Sequence, residues 1–269
     1  MVRIIGIFKA NFYTAKRYKI DWAGSLLYPL FNILPAVLLI FYSGSTGISS
    51  FLGLPTTNIE TYIKYLMIGT VYWGYVEVLW STIFMLRSYM KSGQFEDIFL
   101  SPIKCIENIL GWAVLGIIRT TIESLPLIIL VIIISYKSLT LMNIAIVLGI
   151  FLMSVIASFG MTFFIFGLTL IIKEGDQLAS FIGNSAPFLG GLYFPIMLLP
   201  SPLRYISFIF PFTWGVDILR GTLLNINTIF SIRHEFIILV ILSIGYLIIG
   251  KVAYYMLEKK ARNVGVHGF

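Results

Sequence analysis

Six stretches of this chain are apolar for about the 20 residues that a helix needs to cross a bilayer core. They run roughly over residues 22–43, 62–86, 106–135, 141–172, 178–199 and 236–257. Backbone amides inside lipid have no water to bond, so each stretch must satisfy its own N–H and C=O groups as a helix. The composition agrees: 58% of residues are apolar and only 12% charged, with a mean hydropathy of +0.94. Those values exclude both a soluble globular domain and a disordered chain. The remaining polar pieces are the first 21 residues and short loops, too little for a second domain. The sequence therefore predicts an all-α integral membrane protein, one transmembrane domain over residues 1–269 with six spans. The first apolar run is longer than a cleaved leader's core and no small-residue cleavage site follows it, so it is expected to stay as a span.

Between Gly190 and Arg220 the chain reads GGLYFPIMLLPSPLRYISFIFPFTWGVDILR. Pro195, Pro200, Pro202 and Pro211 fall within 17 residues of it. Each proline removes a backbone donor and bends or ends a helix, which a plain span does not need. Broken backbone at membrane depth survives only inside protein or along a wet cavity. Residues 195–220 are therefore expected to form a re-entrant gate segment before the last span. Its candidate functional residues are Pro195, Pro200, Pro211, Asp217 and Arg220, the last two one helical turn apart.

The formal net charge is +7, and its placement carries more than its size. Arg3, Lys9, Lys16, Arg17 and Lys19 precede the first run. Arg87, Lys91 and Lys104 lie in the second loop, Lys173 in the fourth, and Lys251, Lys259, Lys260 and Arg262 near the end. The opposite side holds Lys64, Lys137, Arg204, Arg220 and Arg233. Positive charge concentrates on the cytoplasmic side of membrane proteins, so both termini are expected in the cytoplasm of a cell with a multi-pass plasma-membrane protein. The same charge attracts anionic headgroups. No motif or solvated basic fold supports a nucleic-acid partner.

Two short amphipathic segments flank the early spans. In residues 1–21, Ile4, Ile5, Phe8, Phe12 and Ala15 share one helical face and Arg3, Lys9, Lys16 and Arg17 the other. That is the pattern of a helix lying in the headgroups, an elbow before the first span. Residues 91–103, KSGQFEDIFLSPI, follow the second span. Glu96 and Asp97 fall in a first turn, where acids suit the helix dipole, and Phe95, Ile98 and Phe99 share a face, with Pro102 at the end. Two readings stand: aromatics dipping into the membrane, or a helix plugged into a groove on a soluble partner.

Ionisable residues inside a span are expensive and face the bundle or a wet cavity. Glu77 lies in the second span, and Glu107, Arg119 and Glu123 in the third. Arg119 and Glu123, four apart, can pair on one helix, and Glu77 lies at a depth that reaches Arg119. They read either as a satisfied ion pair or as part of a substrate path. Ser154, Ala157, Ser158 and Gly160 in the fourth span suit close helix packing. Abundant span aromatics read either as lipid-facing filler or as a lining for sugars or greasy compounds.

Motifs for catalysis do not occur. Cys105 is the single cysteine, so no internal disulfide forms. His234 and His267 are the two histidines, both outside the predicted spans, and no metal-ligand spacing is present. No phosphate-binding G-x-x-x-x-G-K-[ST] occurs either. The expectation is a transporter subunit rather than an enzyme, without metal or cofactor of its own, driven by a partner or an ion gradient.

The order of elements resembles the membrane permease subunit of type-2 ATP-binding cassette (ABC) exporters. FEDIFLSPI is similar to the family's acidic-then-Ser-Pro stretch after the second span. GLYFPIMLLPSPLRYISFIFPFTWGVDILRGTLL is similar to its Gly-x-x-x-Pro, Leu-Pro, Asn-Pro and Asp-x-x-Arg succession, with Phe210 where Asn often precedes the proline. The resemblance covers nearly the whole chain. It implies two permease chains, a homodimer in the simplest case, each docked to one cytoplasmic ABC ATPase that carries ATP and magnesium. It makes residues 91–103 the coupling helix, with Phe95, Glu96, Ile98, Phe99 and Pro102 at the contact. It implies export of an amphipathic drug or lipid-like compound, or of a lipid-linked polysaccharide such as an O-antigen. A gradient-driven secondary transporter using Glu77, Glu107 and Glu123 is the competing class.

Overall fold

The computed structural model describes residues 24–34, 59–92, 105–135, 140–169 and 175–264, with Gly6, Phe12, Tyr13, Arg17 and Leu38 as isolated positions. The elbow over 1–21 falls almost wholly outside the described residues. So do Phe95, Glu96, Ile98, Phe99 and Pro102 of the 91–103 stretch.

Among the described residues the chain is all-helical: α1 (Gly24–Leu34), α2 (Ile59–Lys91), α3 (Cys105–Ile134), α4 (Leu141–Thr169), α5 (Gly175–Leu189), α6 (Ser201–Ser207), α7 (Pro211–Leu224) and α8 (Ile232–Val264). Apolar segments of α3, α4 and α8 reach 28, 26 and 25 residues with mean hydropathies of 2.2, 2.5 and 2.5. At 1.5 Å per residue each exceeds the roughly 30 Å hydrocarbon core. Their outward faces carry Ile129, Ile133, Leu148, Leu152, Ile241 and Ile248, each more than half exposed. In water such continuous apolar surface drives association; in lipid it costs nothing. The chain is an all-α, multi-pass membrane protein with at least three helices long and apolar enough to cross.

Packing follows from where small residues fall. The most extensive helix contact joins α4 to α8. A Cβ on Gly160 would strike the Tyr246–Leu247 backbone, and one on Gly250 the Gly160 carbonyl, so the two backbones touch where neither helix has a side chain. Hydroxyls then bridge helices: Ser243 Oγ donates to Met153 O at 3.0 Å, Thr162 Oγ1 to Leu79 O at 3.1 Å and Tyr72 OH to Ser154 Oγ at 2.6 Å. Such bonds contribute about 0.6 kcal/mol each in membrane proteins, so shape rather than polarity dominates this core. A second, smaller cluster seats α1: Ile33 is buried against Leu66, Val71 and Leu127 of α2 and α3.

The stretch predicted as a span over 178–199 is not one helix. α5 ends at Leu189 after 15 residues, about 22 Å of helix. Leu192 N bonds Pro187 O at 3.0 Å and Gly191 N bonds Phe188 O at 3.2 Å, with Gly191 at φ 72. That is a Schellman cap, which needs a left-handed residue and so selects glycine. A 3-10 turn (Ile196–Leu198) follows, then α6 and α7. Pro202 and Pro211 occupy first-turn positions, where a missing N–H is harmless. Phe210 caps α7 without a side-chain bond. Met197, Tyr205 and Ile209 are exposed, whereas α7 is buried from Pro211 to Leu223 among α2, α4 and α8. The last helix starts at Ile232 rather than 236, which puts His234 in its first turn, bonded to Ser231 Oγ at 2.6 Å.

Candidate functional site

α1, α2 and α3 line a half-open cavity of about 830 Å3, bordered also by Leu192 and Tyr193 after the cap of α5. Two small residues bring α2 and α3 together beside it. Added Cβ atoms on Gly74 and Gly116 would meet Thr120 Cγ2 (at 3.0 Å) and Val78 respectively. Tyr28, Trp73, Trp112 and Tyr193 supply aromatic walls, and Glu77, Arg119 and Glu123 supply charge. The volume falls in the range that holds a drug-sized ligand.

Arg119 Nε donates to Glu123 Oε1 at 2.6 Å, as the four-residue spacing predicts. The Arg119 side chain is 42% exposed and that of Glu123 16%, so the pair lies on the cavity wall rather than inside packed protein. Glu77 reaches the same cavity from α2. The structure thus brings together three of the four expected intramembrane charges. Glu107 does not line the cavity: it sits in the first turn of α3, twelve residues or about 18 Å along the helix from Arg119.

Asp217 and Arg220, grouped by sequence, turn to different partners. Arg220 is 1% exposed. Its Nε bonds Tyr65 O at 3.2 Å, Nη1 bonds Gly191 O at 2.7 Å and Nη2 bonds Leu192 O at 2.5 Å. Its guanidinium carbon stands 3.3 Å over the Tyr65 ring. The planar fork thus satisfies the two carbonyls left where α5 breaks and ties them to α2. Gly69 makes room, since a Cβ there would overlap Arg220 Nη2. Asp217 Oδ2 instead accepts the Ile229 amide at 2.9 Å, while Glu235 Oε1 accepts the next amide, Phe230, at 2.7 Å. Carboxylates from α7 and α8 therefore hold consecutive amides of the connecting loop.

Pro195 caps the 3-10 turn, Pro200 caps α6 and Pro211 opens α7. None of the three lines the cavity. The link between broken segment and cavity is indirect: Trp73 packs edge-on to Phe212 of α7 at 5.7 Å, and Arg220 fixes the carbonyl of Leu192, a lining residue. Sequence reasoning missed Tyr65, Tyr28, Tyr193 and Glu235 as parts of this arrangement. Tyr193 had a signal, since it lies two residues after the double glycine; the others carry no distinguishing neighbours.

No protein-family model matches this chain, and no curated protein matches it.

Proposed function

We propose that this chain is the membrane permease subunit of an ABC exporter, moving an amphipathic drug or lipid-like compound out of the cytoplasm or inner leaflet. The observation that carries the transport reading is the cavity of about 830 Å3 walled by aromatics and three charged side chains, in a chain of membrane-crossing helices. The helix order and the Gly-Gly, Pro-broken segment support the ABC assignment through their resemblance to that family. In this reading two copies pair, each docks one cytoplasmic ATPase through residues 91–103, and both termini face the cytoplasm. The chain itself catalyses no chemistry; ATP and magnesium belong to the partner. Lipid-linked polysaccharide is the runner-up cargo, with aromatic walls stacking on sugar faces.

Co-expression with ABC ATPase subunits of the same source, and purification through this chain, tests the assignment. The expected product holds two permeases and two ATPases and hydrolyses ATP in a vanadate-sensitive way. Phe99→Asp is expected to abolish co-purification of the ATPase while the permease stays folded in detergent, because a charge replaces the apolar plug of a groove contact. Unchanged ATPase binding by that variant overturns the docking assignment.

A gradient-driven carrier is the second reading. The convergence of Glu77 and Glu123 on one cavity favours it, since such carriers place carboxylates at a mid-membrane site. Uptake into proteoliposomes that follows an imposed ion gradient, with no ATPase present, distinguishes it from the first.

A further inference from the structure

Among the described residues the cavity wall holds two carboxylates, Glu77 and Glu123, and one guanidinium, Arg119. Arg119 is committed to Glu123 at 2.6 Å. Glu77 lines the same cavity from the facing helix α2. With Arg119 bonded to Glu123, the Glu77 carboxylate is the surplus charge of this wall, and a cation brought beside it is favoured. Tyr28, Trp73, Trp112 and Tyr193 line the same space, and aromatic faces attract cations whose bodies are themselves apolar. An anion meets the opposite field, with its one complementary group already engaged.

Resting on the transport reading above, we infer that this cavity receives an organic cation with a hydrophobic, largely aromatic body. Glu77 supplies the counter-charge and Trp73, Trp112 and Tyr193 supply the stacking walls. The Arg119–Glu123 pair keeps its part of the wall polar without cancelling the surplus carboxylate. Phosphate-bearing lipids and anionic glycans are then poor ligands for this chamber.

Two probes of nearly the same shape and opposite charge test this: tetraphenylphosphonium and tetraphenylborate. Each is titrated into the purified full-length chain in neutral detergent, and quenching of tryptophan fluorescence is followed, because Trp73 and Trp112 line the cavity. The wild-type chain is expected to bind the cation with an affinity about tenfold or more above that for the anion. Glu77→Gln is expected to weaken cation binding by about tenfold, to leave thermal stability unchanged, and to narrow the difference between the probes; Glu77→Asp restores part of the loss. Equal or tighter binding of tetraphenylborate, an unchanged cation affinity in folded Glu77→Gln, or no saturable cation binding overturns the inference. Should Glu77→Gln not fold, the wild-type ratio of the two probes decides alone. The assay contains no nucleotide, ATPase or gradient. A failed ATPase association would therefore sink the ABC reading while leaving this result intact.

Discussion

Arg220→Ala is expected to lower stability by about 4 kcal/mol or more. Three charge-assisted bonds end on buried carbonyls, and bonds to charged groups contribute about 1.5–3 kcal/mol each, less than additively when they share one side chain. Alanine leaves the Leu192 carbonyl without its side-chain donor and the Gly191 carbonyl with only the long 3.5 Å bond from Tyr65 OH, at a site that is 1% exposed, where water is excluded. It also removes the body of a large buried side chain and opens a void. Arg220→Lys keeps the charge but presents a single point donor in place of the fork, so it is expected to fall between wild type and alanine. The check is thermal inactivation in detergent, read as a half-life since membrane proteins of this kind seldom refold reversibly. A half-life in Arg220→Ala equal to that of wild type would mean that the guanidinium holds nothing. Because the Leu192 and Tyr193 side chains line the cavity, the same variant is also expected to loosen the chamber, a coupling of fold to function through backbone carbonyls alone.

How much of this was legible beforehand depends on which physical term set each feature. Hydropathy sets where α2, α3, α4 and α8 lie, and the predicted boundaries fall within five residues of the observed ones except at the end of α8, which runs to Val264, seven residues beyond the predicted 257. The fifth stretch differs because hydropathy is blind to φ: Leu192 to Leu199 are almost all apolar, yet the left-handed Gly191 has already ended the helix. The Arg119–Glu123 pair was legible because both members are side chains at fixed helical spacing. The partners of Arg220 were not. Backbone carbonyls leave no mark on a sequence, and one of them lies 155 residues away. The three-residue spacing of Asp217 and Arg220 suggested a shared role, but the loop amides of Ile229 and Phe230 needed acceptors and claimed Asp217 and Glu235. Residues 93–103 and nearly all of the elbow lie outside the described residues.

Gly250→Ala and Gly245→Ala, five residues apart on α8, are expected to act with opposite sign. In an exposed helix interior, alanine is favoured over glycine by about 1 kcal/mol because it restricts the unfolded chain. A Cβ on Gly245 meets nothing within 4 Å, so Gly245→Ala is expected to be neutral or mildly stabilising. A Cβ on Gly250 lands on the backbone of Gly160, and a carbonyl cannot rotate aside as a flexible side chain does. The two helices must separate, and the loss spreads along the most extensive contact in the fold, including the Ser243–Met153 bond at 3.0 Å. Overpacking of this kind costs about 1–3 kcal/mol for one methyl, enough to outweigh the propensity gain, and Gly250→Val is expected to prevent recovery of monodisperse protein. Gly160→Ala attacks the same contact from α4. If helix separation is the mechanism, the double variant with Gly250→Ala loses less than the sum of the two, since the gap that one opens accommodates the other. Size-exclusion profiles and inactivation half-lives for the three single variants and the double would read this directly. Equal behaviour of Gly245→Ala and Gly250→Ala would show that α4 and α8 are not in backbone contact in the membrane.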